Sequence, residues 1–175
     1  MIEGRNYFML VLGLDPGTAT TGYGLVEAEG GREKMIRYGT IKTAANLPME
    51  LRLLKIYREL NAILDEFQPD AVAIEELFHQ KNAKTVITVA QSRGVLLLAA
   101  AARDLEMAEY TPLQVKQAVC GYGNAEKKQV QIMVQKILRM EQIPKPDDAA
   151  DALAIAICHL HSYRLNRLNK SGVRQ

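Results

Sequence analysis

An α/β domain with a mixed five-stranded sheet covered by helices is what this sequence predicts, on three observations. Short runs of apolar and β-branched residues read as strands at five places. The first three runs are joined by tight turns, as in an antiparallel meander. The later two are separated by long stretches with helical periodicity, as in a parallel crossover.

The elements follow in order. Met9 to Asp15 is a buried strand, and Pro16-Gly17 then forces a turn. Thr21 to Glu29 is a second strand, with Tyr23, Leu25 and Val26 as its apolar content, and Gly30-Gly31 signals a hairpin. Met35 to Ile41 returns as the third strand. A helix is expected from Leu47 to Phe67, where Leu53, Ile56, Tyr57, Leu60, Leu64 and Phe67 form one stripe. Asn46 is its expected N-cap, with Pro48 in the first turn. Ala71-Val72-Ala73-Ile74-Glu75 is a buried strand introduced by Gln68-Pro69-Asp70. Reached through a helix, it belongs beside the first strand and parallel to it. Asp15 and Glu75 then share one C-terminal edge.

A second long helix is expected from Lys81 to Arg103. Its half from Val95 to Ala102 is apolar nearly all round, which implies burial on more than one side, in the core or at a subunit interface. Met107 to Tyr110 is a short strand, and Thr111-Pro112 opens a helix through Val119. Gly121-Tyr122-Gly123 is a loop. A helix from Ala125 to Arg139 turns Val130, Met133, Val134, Ile137 and Leu138 inward. Pro144 and Pro146 precede a last helix, Asp147 to Tyr163. The ribonuclease-H-like arrangement satisfies this pattern.

The 175 residues fit one domain with a real core, and 48% apolar and 24% charged content is ordinary for a globular chain. A net charge of +2 does not by itself imply nucleic acid. No Asp or Glu follows Asp151, whereas Arg164, Arg167, Lys170 and Arg174 do, so residues 164–175 read as a basic, flexible tail. Ile2-Glu3-Gly4-Arg5 spells a common protease-tag site, and residues 1–8 are set aside as an extension or a tag remnant. The domain is therefore placed at residues 9–163. Cys120 and Cys158 carry no zinc or redox spacing and are expected as reduced, buried thiols. Neither a signal peptide nor an apolar span of about 18 residues is present, which argues against secretion and membrane insertion.

Three acidic stretches carry the chemistry. Asp15 and Glu75 end strands, and Asp148 and Asp151 are three apart at the start of the last helix, on one face. Each has an ordinary reading: Asp-Pro-Gly is a turn former, and acids at a helix start complement its dipole. Their coincidence favours another. Carboxylates gathered without a cation raise each other's pKa. Oxygen-only, histidine-poor sites suit Mg²⁺ or Mn²⁺. Two such ions about 4 Å apart activate a water and stabilise the leaving oxygen of a phosphodiester. Asp15 is assigned a bridging position, Glu75 one metal, and Asp148 and Asp151 the other. Glu76 alternates away from Glu75, and Asp147 is expected as the N-cap. Lys116, Lys127 and Lys128 are either solvated or neutralise phosphates. Phe78 either stacks on an unpaired base or fills the core.

Leu14-Asp15-Pro16-Gly17, Thr21-Gly22-Tyr23-Gly24, Ala73-Ile74-Glu75-Glu76-Leu77-Phe78, Lys81-Asn82, Gln91-Ser92-Arg93-Gly94, Gln114-Val115-Lys116-Gln117, Gly121-Tyr122-Gly123-Asn124-Ala125-Glu126-Lys127 and Asp148-Ala149-Ala150-Asp151-Ala152-Leu153-Ala154 occur in that order. From Met9 to His161 the chain closely resembles the RuvC family of bacterial Holliday-junction resolvases. The resemblance implies a ribonuclease-H-like fold and a cytoplasmic homodimer. It implies symmetric nicking of two opposed strands of a four-way DNA junction in recombination and repair. The cofactor would be Mg²⁺, two ions per subunit, with Mn²⁺ able to substitute. Asp15, Glu75, Asp148 and Asp151 would be the catalytic acids. Phe78 would contact bases at the crossover, and Lys116 and Lys127 would hold the scissile strand. The RuvA–RuvB branch-migration complex would be a partner. Asp147 and the N-terminal extension depart from the family's usual pattern.

Two rivals stand beside this reading. Leu14-Asp15-Pro16-Gly17-Thr18-Ala19-Thr20 looks like the first phosphate-binding hairpin of actin-like kinases and ATPases, which bind ATP between two domains. This chain offers one domain and no second glycine-rich loop. A non-catalytic junction-binding protein would share the fold, but all four acids are present.

Overall fold

The computed structural model describes residues 8–76 and 83–172. Within these residues, ten elements run in the order β1 (Phe8–Asp15), β2 (Thr20–Glu29), β3 (Arg32–Lys42), α1 (Met49–Phe67), β4 (Ala71–Glu75), α2 (Ala83–Ala101), β5 (Glu106–Tyr110), α3 (Pro112–Cys120), α4 (Lys127–Ile137) and α5 (Asp147–Gly172). One five-stranded sheet has the order β3-β2-β1-β4-β5. The first three strands form the antiparallel meander. β4 lies beside β1 and parallel to it, with Leu14 opposite Ile74, and β5 is parallel to β4. The predicted mixed sheet is therefore present.

Alternation along each strand divides the core into two layers. Leu12, Leu14, Leu25, Val72 and Ile74 meet Ile56, Leu60 and Leu64 of α1 and Leu96, Ala99 and Ala100 of α2. Met9, Val11, Val26, Ala71 and Ala73 meet α5, over which α3 and α4 add Val115, Val119, Val130 and Val134. From Ala152 to Leu160 every α5 residue is buried, because the helix has the sheet on one side and α3 and α4 on the other.

Several boundaries differ from expectation. Asn46 does not cap α1: Pro48 occupies the cap position without a side-chain hydrogen bond, and its carbonyl accepts from Leu51 and Arg52. Asp147 does not cap α5 either. It is the first helical residue, and the Pro146 carbonyl takes the amides of Ala149 and Ala150. α5 runs on to Gly172 rather than ending near Tyr163, so residues 164–172 continue a helix instead of starting a flexible tail. No proline or glycine interrupts the chain there before Gly172. The apolar half of α2 is buried on one side only. Leu96, Ala99 and Ala100 face the core, while Leu98 is 62% exposed and Ile87, on the same helix, 59%. Cys120 and Cys158 are both free; Cys158 is buried as expected, whereas Cys120, at the end of α3, is only half-buried.

Candidate metal centre at the strand edge

Strand parity aims the first two carboxylates. Met9 and Val11 face α5, and so does Asp15, an even number of residues further on. Ala71 and Ala73 do the same for Glu75. Each acid follows directly on the paired residues Leu14 and Ile74, so the two end adjacent parallel strands at one edge.

Glycines deliver the other two. Asp15 pairs with Gly22 across the β1–β2 ladder. A Cβ on Gly22 would lie 2.0 Å from the carbonyl oxygen of Asp148, and one on Gly13 would lie 2.0 Å from that of Ala152. The α5 backbone thus rests directly on bare sheet, closer than side chains allow. Ala149 and Ala152 are fully buried in the same region of α5. This contact seats the first turn of α5, with Asp148 and Asp151 on one face, over the residue paired with Asp15.

The turn after Asp15 is tied on several sides. Thr18 Oγ1 donates to the Thr88 carbonyl of α2 at 2.6 Å, and Thr21 Oγ1 to the Gly17 carbonyl at 2.6 Å. Thr43, just past β3, donates to the Thr18 carbonyl at 2.6 Å and accepts from Arg52 Nε of α1 at 2.8 Å. These threonines are buried, and losing such a bond leaves a buried polar group unsatisfied.

The acids feel one another. Burial, then the charges of Glu75, Asp151 and Asp148, pushes the Asp15 carboxyl from its ordinary 3.8 up to about 8, and Lys127 offsets this only in part. Burial and the charge of Asp151 also raise Glu75. Burial raises Asp151, against the hydrogen bond and charge of Lys127, with Asp147 and Asp148 adding repulsion. Among the described residues one cation answers them: Lys127 Nζ lies 2.9 Å from Asp151 and 3.5 Å from Asp147. Burial depresses the Lys127 ammonium, but Asp151 and Asp147 more than reverse this and hold it above its usual range. These side chains are partly exposed, and such a pair is worth no more than about 1 kcal/mol, so it exchanges easily.

Excess negative charge, oxygen-only donors and a protonation-prone Asp15 fit a hard divalent cation. Among the described residues, no three His, Cys, Asp or Glu side chains are gathered into a metal-holding group as they stand. The four acids share an edge without closing on a common point, and one of them spends its charge on Lys127.

Glu76 is exposed, and its amide donates to the Tyr110 carbonyl at 2.9 Å. Lys116 is half-buried on α3, where its charge bears on Cys120 one turn later. Lys128 is exposed in the first turn of α4. Phe78 lies outside the described residues. The packing role of Gly13 and Gly22 was not drawn from the sequence, although glycine inside a strand is the signal for it.

A ribonuclease-H-like protein is defined by this sheet order, with an acidic strand edge and a helix laid across it. The family model described as crossover junction endodeoxyribonuclease RuvC matches residues 11–159, and the chain belongs to that family. The crossover junction endodeoxyribonuclease RuvC of Syntrophomonas wolfei is 70% identical over 164 residues, covering 94% of this chain and 95% of that protein. A solved structure of T. thermophilus RuvC in complex with Holliday junction substrate superposes with a TM-score of 0.87. It is 35% identical and covers 90% of this chain and 96% of that one. The yeast mitochondrial Holliday junction resolvase Ydc2 gives a TM-score of 0.64 over 93% of this chain and 86% of that one, and at 14% identity its likeness is one of fold.

Proposed function

We propose that this chain is a structure-selective endonuclease that resolves four-way DNA junctions by paired, symmetric, metal-dependent nicks. The observation that carries the reading is that Asp15 and Glu75 end adjacent strands at one sheet edge over which the first turn of α5 seats Asp148 and Asp151, in a chain whose family includes a junction-bound resolvase.

Asp15, Glu75, Asp148 and Asp151 are the residues that hold the cofactor, proposed as two Mg²⁺ ions per subunit, with Mn²⁺ as a substitute. When bound, these ions supply Lewis-acid stabilisation of the leaving oxygen and an activated water. The protein's own part is positional. The Gly22 contact fixes α5 against β2, and the threonine ties fix the Asp15 turn. Lys127, Lys116 and Lys128 hold phosphates of the scissile strand, and Phe78 meets bases at the crossover. Contacts to phosphate register the strand without reading its sequence.

Symmetric nicking needs two centres, and the proposed assembly is a homodimer. The outer face of α2 supports it. Ile87 and Leu98 are exposed there, and the open position at Gly94 has nothing within 4 Å of where a Cβ would be. The RuvA–RuvB complex is the proposed partner, and the cytoplasm the proposed site of action. Among the described residues no helix is long and apolar enough to cross a membrane.

The test compares a synthetic mobile four-way junction with linear duplex, with and without Mg²⁺, for the wild-type chain and Asp15→Asn. Paired symmetric nicks in the junction alone, lost in Asp15→Asn while binding persists, are expected. Binding without cleavage in any divalent metal would overturn the nuclease reading and leave a junction-binding protein. Failure to bind the junction would overturn both.

A further inference from the structure

Asp147 stands outside the four-carboxylate set, yet two residues of α4 reach for it. Gln131 Nε2 donates to its Oδ1 at 2.9 Å, and Lys127 Nζ lies 3.5 Å from its Oδ2. Lys127 and Gln131 are one helical turn apart, so a single face of α4 makes both contacts. A charge in the first turn of α5 complements the helix dipole, but the dipole does not require either grip. Nor does the side chain stand at the cap position, because Asp147 is already the first helical residue, following Pro146.

The same ammonium lies 2.9 Å from Asp151 Oδ2. A divalent cation that takes Asp151 through this oxygen must displace the ammonium from it. Without a second carboxylate, Lys127 would give up this ionic partner and would compete with the cation for that oxygen. With Asp147 beside it, the ammonium shifts its weight from one carboxylate to the other. Gln131 fixes Asp147 for this purpose by occupying the oxygen that Lys127 does not use.

We propose that Asp147 is a positioning residue for Lys127: it keeps the ammonium at the acidic edge when a divalent cation takes Asp151, and so relieves the competition between the two. The proposal rests on the reading of the edge as a divalent-cation site. It gives Asp147 a role that neither a helix cap nor a fifth metal ligand would have.

The test measures Mn²⁺ binding to the full chain without DNA, by the electron paramagnetic resonance signal of free Mn²⁺. The wild type is compared with Asp147→Asn, Lys127→Gln, the double variant and Asp147→Glu. Asn keeps the acceptor for Gln131 and removes only the charge that holds Lys127. Lys127→Gln is expected to bind Mn²⁺ more tightly. Asp147→Asn is expected to weaken binding several-fold when Lys127 is present and to change it less than twofold in the Lys127→Gln background. Asp147→Glu is expected to restore the wild-type value. Equal weakening in both backgrounds would show a bulk charge effect and overturn the proposal, as would no weakening beside an intact Lys127. No Mn²⁺ binding by the wild-type chain would overturn the cation reading itself, and this inference with it.

Discussion

The two faces of the sheet solve different problems with different residues. Against α1 and α2 the sheet presents Leu12, Leu14, Leu25 and Ile74, and the interface is filled by bulk. Against α5 it presents Met9, Val11 and Val26 away from the acidic edge but Gly13 and Gly22 close to it, and there helix backbone lies almost on strand backbone. Bulky interfaces gain more from area, roughly 25 cal/mol per Å² of buried apolar surface, and they repack locally when changed. A bare contact gains less area but leaves the helix little freedom to shift. The family's chemistry needs carboxylates from β1, β4 and α5 in one place, and the site lies on the face with least freedom.

The largest effect should come from breaking that contact. In Gly22→Ala the new methyl would lie 2.0 Å from the Asp148 carbonyl, so α5 must lift or slide. Overpacking of this kind costs about 1–3 kcal/mol. The expected loss of activity is larger, because a shift of about 1 Å at reacting groups costs on the order of 10²-fold. Leu60→Ala on the other face is the counterpart. It empties a fully buried site and should cost about 2–5 kcal/mol of stability, with cleavage per folded molecule nearly unchanged. Thermal unfolding and cleavage rates on one junction substrate, measured together, separate the two. If Leu60→Ala lost as much cleavage per folded molecule as Gly22→Ala, the division of labour between the faces would be wrong.

The same comparison explains what the sequence made legible. The meander, the parallel β1–β4 pairing and the shared edge of Asp15 and Glu75 follow from local runs, turn residues and the crossover rule, all of which are short-range or topological. Parity along β1 and β4 then aims both carboxylates at one face. The seat of α5 was not legible in the same way. Gly22 reads as a weak point in a strand until Asp148 is known to rest on it. The ties from Thr18 to Thr88 and from Lys127 to Asp147 join segments far apart in sequence that share no periodicity. Cap positions failed for a local reason: α1 and α5 each start directly after a proline, so neither Asn46 nor Asp147 stands at the cap position.

A smaller effect should appear with pH. Asp15 is held near 8 in the fold against an ordinary 3.8, so the folded chain binds an extra proton between those values. That preference stabilises the fold fully below about pH 4 and is lost as pH rises through 8. In chelator, the wild type should lose stability from pH 4 to pH 8, by an amount on the order of a few kcal/mol. Asp15→Asn should be nearly level over that window apart from the weaker contributions of Glu75 and Asp151, which have the same sign. Mg²⁺ should restore most of the loss at pH 8. Denaturant titrations at both pH values check this, and parallel slopes for wild type and Asp15→Asn would remove Asp15 from the account.

The smallest effect is at Gly94, on the outer side of the bulky face. Within the chain this is open space, and an alanine there touches nothing within 4 Å. Replacing an interior helical glycine by alanine should then add about 0.5–1 kcal/mol. If two copies of α2 meet across Ile87 and Leu98, the open position is also where the partner's chain comes nearest. An added methyl there would push the copies apart. Gly94→Ala is therefore expected to raise stability in dilute protein and to weaken self-association in concentrated protein, as followed by sedimentation and by thermal unfolding at two concentrations. A gain that persists undiminished as the protein associates would place the contact elsewhere on the surface. The bulky face would then be the one that stabilises the monomer and nothing more.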